Sequence, residues 1–537
     1  SLNTYCFKLV FKSQIILNKY THLMNKHCIL WIDDEVDYLK PHFLFLNQKG
    51  YDVIGFNSAH EGLVYLEQNE VSIVLLDENM PGISGLEALT IISEKGINVP
   101  VIMITNNQEE YTLNQALSNS VADFLFKPIH PNQVYASVKK VLEQKLITND
   151  KKQADFLSSH LKISEAIYEA NSIDDFYRLY QSLVAWQIQF ENSHNKLLLD
   201  MLEGHFQNAN LKFSELVTDS YESWIQHANG PIFSHQLLDK KIIPLTKEKK
   251  TLVLLLDNLR VDHWQTIKPV LEAQFNVVKD AFYTAILPTV TQYARNAIFS
   301  GLLPIEIKNN YPKQWKEDTE EGLKNEFEAL FFKDYCERKN LKISHSYVKI
   351  NHNKQATDYI KDFKKIAKND LNFAVVGFID QLSHAKTTHQ IINDITHNNK
   401  AYRETTLNWF SNTYLQEILK LTIDHNIQLI ITTDHGAIQV EHPSMLKGNR
   451  DHTDNLRYKN GHRINSSAKS SFQVDVPENI GLPKSSLAST YVFAKNKSFF
   501  VYPNEFNKFA DKYRNSYQHG GISMEEMMVP FVVLVPK

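Results

Sequence analysis

The sequence predicts an α/β protein in three parts: a doubly wound N-terminal domain, an all-helical connector and a large C-terminal α/β domain. Three observations carry that reading. Residues 24–145 alternate short apolar runs with amphipathic stretches, the pattern of βα units on a parallel sheet. No proline falls between Pro131 and Pro231, and apolar residues there recur at helical spacing. From Thr251 onward near-continuous apolar runs return, as parallel strands buried on both faces require.

Taken in order, residues 1–23 are expected to be an extension outside the first domain. Met24 lies just ahead of the first strand-like run, and the lysine-interrupted start lacks a small-residue cleavage site. The first domain, 24–145, has strands in CILWI, YDVIGF, SIVLL, VIMIT and DFLF. Its helices fall in EGLVYLEQ, GLEALTIISE and NQVYASVKKVLEQ. The connector, 146–229, shows a helical face in Phe176, Leu179, Tyr180, Leu183 and Trp186, opened by a Ser172/Asp175 capping box. The C-terminal domain, 230–537, has strands in TLVLLLD, FAVVGFID, IQLIITTD and VPFVVLV.

Composition bounds the rest. At roughly 150 residues per domain, 537 residues make about three or four domains. A chain 43% hydrophobic and 22% charged excludes long disorder. The balance 57 − 61 = −4 gives bulk charge no part in non-specific nucleic-acid binding. Cys6, Cys28 and Cys336 are too few for a disulfide framework, so a cytoplasmic location is expected. No apolar run approaches the ~18 residues of a membrane span.

The first site gathers at strand ends. Asp33 and Asp34 follow CILWI, Asp77 ends SIVLL, Thr105 ends VIMI, and Lys127 follows DFLF. Open α/β sheets bind ligands at these carboxyl ends. Three carboxylates together repel unless a divalent cation neutralises them, and oxygen-only ligands favour Mg²⁺. A lysine and a hydroxyl beside them can receive and hold a phosphoryl group. A lone Asp at such a position is more often a helix cap. Five suitable residues at four strand ends make capping an insufficient account.

The segments WIDDE, LLDENMPGISGLE, MIT and FLFKP resemble a response-regulator receiver domain of flavodoxin-like fold. The resemblance implies that Asp77 is the phospho-acceptor. It also implies that Asp33, Asp34, Asp77 and the backbone carbonyl of Asn79 hold Mg²⁺. Thr105 and Lys127 would contact the phosphoryl oxygens, and Phe124 would be the aromatic coupled to the Thr105 hydroxyl. Asn106 stands where receivers usually carry a small residue.

The second site follows the same logic. LVLLL ends in Asp257, FAVVGFI ends in Asp380 with His384 four residues on, LIITT ends in Asp434-His435, and His519 precedes the final strand. Mixed Asp and His ligands suit Zn²⁺, and six are enough for two ions. The nucleophile is expected in LPTVTQYARNAIFSGLLP, with Thr291 at a helix N-terminus that favours phosphate. Thr289 is the competing candidate, and its replacement by valine is expected to cost little beyond packing. The basic stretch KGNRDHTDNLRYKNGHR, with Arg450, Arg457 and Lys459, is expected to be a loop that contacts further phosphates.

The order Asp, Thr, Asp-x3-His, Asp-His, His resembles the alkaline phosphatase superfamily. DNLRVDHW, PTVTQYARNAIFSG, GNRDHTDNLRYK and HGGISMEEMMVP are similar to its PglZ branch. The resemblance implies two Zn²⁺, one at Asp257, Thr291, Asp434 and His435, the other at Asp380, His384 and His519. It implies a phosphothreonine intermediate, with Asn309 or Asn310 completing phosphate binding. A receiver, a helical connector and a PglZ-type domain in this order resemble the PorX-type regulators of type nine protein secretion and gliding. That implies a phosphodiesterase acting on oligonucleotides, cyclic ones included. The implied partners are a sensor histidine kinase, an extracytoplasmic-function sigma factor and an inner-membrane secretion motor protein, together with a phosphorylation-dependent homodimer. The alternatives are a phosphorylation-switched adaptor without catalysis and a phosphomonoesterase.

Overall fold

The structure, a computed structural model, describes residues 27–105, 121–191, 195–227, 229–318, 320, 322–388, 398–448, 455–462, 464–484, 489–504 and 506–537. The chain divides into two compact units, 1–158 and 159–537. Among the described residues no helix is long and apolar enough to cross a membrane.

The first unit is built on five parallel strands: β1 (Cys28–Ile32), β2 (Asp52–Phe56), β3 (Ile73–Asp77), β4 (Val101–Thr105) and β5 (Asp123–Phe126). Their order is β2-β1-β3-β4-β5. Helices α1 (Lys40–Gln48), α2 (Ala59–Gln68) and α3 (Gly85–Glu94) follow β1, β2 and β3, and α4 (Pro131–Glu169) follows β5. Ile29 and Trp31 feed one core while Leu30 and Ile32 feed the other. Burial on both faces is why the strands read as unbroken apolar runs. Strand order reverses between β1 and β3, so a crevice opens at their carboxyl ends. Gly85 is required where α3 leaves that crevice, because a Cβ there would lie 2.2 Å from the Asp77 carbonyl oxygen.

In the second unit, α5 (Ile173–Phe190) and α6 (Lys196–His227) pack through Phe176 and Phe213. The Ser172 hydroxyl accepts from the Asp175 backbone N–H at 3.2 Å, and the Asp175 carboxylate accepts from the Ser172 N–H at 3.1 Å. The connector is not a compact body of its own, since everything from Ser159 groups with the C-terminal fold.

That fold centres on a six-stranded mixed sheet. Its first five strands are β6 (Thr251–Leu256), β7 (Phe275–Thr284), β8 (His345–Ile350), β9 (Leu371–Val376) and β10 (Gln428–Thr432). A separate three-stranded sheet holds β11 (Tyr458–His462), β12 (Ser471–Val474) and β13 (Ser489–Ala494). The last strand, β14 (Met528–Pro536), returns to the main sheet, giving the order β7-β14-β10-β6-β9-β8. β10, β6, β9 and β8 are parallel.

Two expectations are corrected here. VPFVVLV is antiparallel to both of its neighbours rather than parallel. Its apolar run reflects burial on both faces, which an interior strand of either direction has. FNVVKDAFYT, edge strand β7, was not among the expected strands because its half-exposed positions break the apolar run.

The helices that matter for chemistry are α7 (Val261–Glu272), α8 (Thr291–Ser300), α9 (Pro304–Asn310), α10 (Glu328–Arg338), α11 (Phe378–Thr388) and α12 (Asn399–Ser411). Asp380 was expected at the end of a strand. The strand stops at Val376, and Asp380 lies in the first turn of α11 with His384 one turn on.

Candidate functional site

In the first unit Asp33 and Asp34 follow β1 and Asp77 closes β3. One carboxylate oxygen from each lies within 4.8 Å of the others. Asp33 and Asp77 are buried and Asp34 is exposed. The Lys127 ammonium sits 2.9 Å from Asp77 Oδ1 and 3.3 Å from Asp33 Oδ2. Burial raises the Asp77 carboxyl above its usual pKa, partly offset by Lys127, and the Asp33 and Asp34 charges raise it further. Burial opposes charge on Lys127, yet its bond to Asp77 and the charge of Asp33 hold its pKa above the usual value. One lysine cannot balance three carboxylates, and the donor set is all oxygen, so the pocket fits a hard divalent cation such as Mg²⁺. Thr105 is buried at the end of β4. Phe124 lies on β5 level with Met103 and packs on the core shared by β1, β3 and β4. Asn79 is exposed two residues past Asp77. Asn106 lies outside the described residues.

In the second unit the carboxyl edge of the main sheet brings two triads together: Asp257, Asp434 and His435, and Asp380, His384 and His519. Within the second, His384 Nε2 stands 3.4 Å from Asp380 Oδ2 and 3.4 Å from His519 Nε2, and His519 Nε2 stands 3.5 Å from Asp380 Oδ1. A tetrahedral zinc with ligands at about 2.0–2.1 Å sets its ligand atoms roughly 3.3–3.4 Å apart. In the first, His435 Nε2 stands 3.7 Å from Asp434 Oδ2 and 3.8 Å from Asp257 Oδ1. Both of those carboxylate oxygens are buried without a hydrogen-bond partner, and a metal would satisfy them. The donor sets of both triads therefore fit divalent metal ions such as zinc, the second triad at tetrahedral spacing and the first somewhat wider.

The ring orientations agree. His435 Nδ1 faces the Gly436 carbonyl at 3.2 Å and His519 Nδ1 faces the Thr289 carbonyl at 3.2 Å. A proton on each Nδ1 leaves Nε2 with its lone pair toward the site. The two rings stack with centroids 4.2 Å apart, joining the triads. Gly436 admits the close approach behind His435, because a Cβ there would lie 2.0 Å from the Glu525 carbonyl oxygen.

Electrostatics explain why the site wants cations. Burial pushes Asp257 well above the usual carboxylate range against the pull of Arg295, and Asp434 and Asp380 add to it. Asp434 is buried too, but Arg295 and His435 outweigh that and hold it low. Burial works against Asp380 likewise, yet its bond to His384 and the neighbouring imidazoles hold it well below the usual range. Asp380 raises His384 in turn. Burial beside His435 pushes His519 down to about 3.

Thr291 is the first residue of α8, and its Oγ1 lies 3.2 Å from His435 Nε2. Thr289 points elsewhere. Its buried hydroxyl donates to the Gly521 carbonyl at 3.1 Å and accepts from the Gly520 N–H at 2.9 Å. Thr289 is thus the fastener of the His519 loop, so its replacement by valine would cost more than packing.

Three expected phosphate contacts do not stand in the site as supposed. Arg457 is fully buried, with Nη2 2.6 Å and Nε 3.1 Å from the Glu526 carboxylate. A guanidinium spent on a buried carboxylate has no reach to a ligand. Lys459 lies on β11, only 4% exposed, with its ammonium over the Tyr502 ring. Asn310 ends α9 exposed to solvent, with no contact to either triad among the described residues. Arg450 lies outside the described residues.

Two site residues escaped the sequence reading. Arg295 on α8 reaches Asp257 Oδ2 at 2.7 Å and Asp434 Oδ2 at 3.3 Å. Asn258 donates from Nδ2 to Asp380 Oδ1 at 3.2 Å. The available signal was the single charged residue of TQYARNAIFS, four positions after Thr291.

The connector touches the loops that carry this chemistry. The Tyr221 hydroxyl accepts from the Leu287 N–H at 2.8 Å, just ahead of Thr291. Asn210 accepts from the Met524 N–H at 2.8 Å and donates to Glu525 at 2.9 Å.

Comparison with known proteins agrees with this geometry. Residues 237–534 match the family described as the BREX system PglZ alkaline phosphatase-like domain, which suggests a hydrolase. Residues 29–139 match the response regulator receiver domain and 146–225 the PorX response regulator linker domain. Among curated relatives, the chain is 32% identical over 124 residues to the phosphoglycerate transport system transcriptional regulatory protein PgtA of Salmonella typhimurium, covering 23% of this chain and 30% of that one. It is 30% identical over 154 residues to the alkaline phosphatase synthesis transcriptional regulatory protein PhoP of Bacillus subtilis, covering 27% and 64%. The chain thus spans less than two thirds of the length of these relatives. A receiver domain from Clostridium thermocellum aligns at 25% identity over 23% of this chain and 98% of its own, TM-score 0.21. TrrA from Thermotoga maritima, solved with Mg(2+)-BeF, aligns at 27% identity over 22% and 99%, TM-score 0.20. A receiver domain implies a phosphorylating sensor kinase. With more than half of its length in the PglZ match, behind a receiver and a PorX linker, the chain belongs to the PglZ family as a PorX-like two-component response regulator.

Proposed function

We propose that the output of this response regulator is a zinc-dependent phosphodiesterase acting on oligonucleotides, cyclic ones included, with Thr291 as its nucleophile. One observation carries the reading: the Thr291 hydroxyl lies 3.2 Å from His435 Nε2 at a helix N-terminus, beside two His/Asp triads. Asp257, Asp434, His435 and Thr291 would hold one zinc, and Asp380, His384 and His519 the other. Bound zinc lowers the pKa of a hydroxyl beside it and offsets charge on phosphoryl oxygens. Thr291 Oγ loses its proton and attacks phosphorus, the bond to the departing nucleoside oxygen breaks and that oxygen takes up a proton, and the other nucleotide stays esterified to Thr291 as a phosphodiester until water cleaves the Thr–O–P bond. The N–H groups that open α8 face the incoming phosphate. The His384 side chain is 60% exposed, which leaves the site open on that side for a polymeric substrate.

In the receiver, Asp77 accepts the phosphoryl group from a sensor histidine kinase. Asp33, Asp34, Asp77 and Asn79 hold Mg²⁺, and Thr105, Phe124 and Lys127 respond to the change. The resemblance to PorX-type regulators makes type nine secretion and gliding the proposed process, in the cytoplasm. A sigma factor, a secretion motor protein and a second copy of the chain complete the proposed partners. Elemental analysis followed by assays on phosphate mono- and diesters tests the enzyme reading. Two zincs per chain and preferential diester cleavage are expected. Zinc without hydrolysis of any ester would leave an adaptor, and preference for monoesters a phosphatase.

A further inference from the structure

We propose that Arg295 is the positioning residue of the nucleophile-side metal site: one guanidinium, carried on the nucleophile's own helix, orients the Asp257 carboxylate by a hydrogen bond and pairs in charge with Asp434. The inference rests on the two-zinc reading above. Thr291 and Arg295 are four residues apart on α8 and share a face. The rest of that helix is buried, so the guanidinium has no water and must be matched by protein groups.

The match is one hydrogen bond and two ion pairs, with Nε and Nη1 left without a hydrogen-bond partner among the described residues. Nη2 holds Asp257 Oδ2 at 2.7 Å. Nε lies 3.3 Å from Asp434 Oδ2 and 3.2 Å from Glu328 Oε1. Because Asp257 Oδ2 is taken, Oδ1 is the oxygen left facing His435, buried and without a hydrogen-bond partner. A planar guanidinium permits little rotation of a carboxylate bound to it. The Nη2 bond therefore decides which Asp257 oxygen a metal finds, whereas Nε and Nη1 make no hydrogen bond and Asp434 feels the guanidinium through charge. Glu328 steadies the guanidinium from outside the site and is itself held by Asn325 Nδ2 at 3.0 Å and by the Tyr347 hydroxyl. The charges also fit: a dication with two carboxylates is neutral, and the Arg295–Glu328 pair adds none.

A purely structural ion pair would stabilise the fold without distinguishing one metal site from the other, and a chelator-competition zinc titration of full-length protein separates the two roles. Wild type should take up two zincs. R295K keeps the charge and loses the Nη2 bond to Asp257. It should bind one of the two zincs about 10–100-fold more weakly, the usual loss for an outer-shell partner, and the other as tightly as wild type. At saturating zinc its kcat on a diester should fall with KM unchanged. If R295K does not fold, E328Q keeps the arginine and frees its outer side, and a smaller weakening confined to one site is expected. Both zincs bound as in wild type with kcat unchanged, or both weakened equally, would overturn the proposal. A wild type that takes up no zinc would instead overturn the two-metal reading itself.

Discussion

Thr291 and Thr289 stand two residues apart, and their surroundings assign them different work. Thr291→Val keeps the shape and removes only the hydroxyl beside His435. Hydrolysis is expected to fall by a factor on the order of 10³ while both zincs remain, as when a covalent nucleophile leaves a site with intact electrostatics. Steady-state kinetics with metal analysis checks this. Thr289→Val strands the Gly520 N–H and the Gly521 carbonyl, both buried. It should lower stability by about 1–3 kcal/mol in denaturant titration. Asp77 makes a prediction of opposite sign. Burial raises its pKa, so the ionised carboxylate costs the metal-free fold stability above that raised value. Below about pH 4 the group is protonated folded and unfolded, and the cost vanishes. Asp77→Asn should therefore raise the metal-free melting temperature at pH 7, with the gap closing as pH falls toward 4. It should also abolish labelling by acetyl phosphate.

At the scale of elements, the segment between Asn455 and His462 shows what charge density hides. Its arginine is an internal brace: Glu526 accepts from Arg457, from the Gly521 N–H at 2.9 Å and from the Ser523 hydroxyl at 2.7 Å. This one ion pair joins β11 to the turn that follows His519 and to the start of β14. Arg457→Met should cost roughly 3–5 kcal/mol, because it leaves a buried carboxylate without its cation. Chemical denaturation measures that. A substrate-binding role would instead appear as a raised KM in a protein of normal stability. The strand ends behave differently: β6 and β10 lie in register side by side, so Asp257 and Asp434 emerge at the same edge wherever loops send the chain between.

For the whole molecule, the two-zinc reading makes metal part of the folding free energy of the C-terminal unit. Zinc at a hundred times its dissociation constant contributes about 2.7 kcal/mol per site. Chelation should lower the melting temperature of that unit in calorimetry, and Asp257→Ala should lose about one zinc per chain. Phosphorylation is expected to act through assembly, with the receiver face beside Phe124 as the contact between copies. Light scattering with acetyl phosphate and Mg²⁺ should show a shift from monomer toward dimer. An unchanged mass across micromolar concentrations would rule it out.

The sequence by itself determined the α/β class, the order of the parts and the chemistry at the strand ends. These are local signals. An apolar run announces a strand buried on both faces, and an Asp or His directly after it sits at a sheet edge. Asp33, Asp77, Asp257 and Asp434-His435 were legible for that reason, and the structure gathers them into pockets. Depth, direction and pairing were left to the tertiary structure. VPFVVLV is equally apolar in either direction, and only its neighbours make it antiparallel. Arg457 looks like part of a basic surface loop until Glu526, 69 residues away, claims it. Arg295 is the one charged residue of a mixed helix until folding brings Asp257, Asp434 and Glu328 around it. A charge in a sequence carries no record of its depth, because burial and ion pairing are properties of contacts between distant segments.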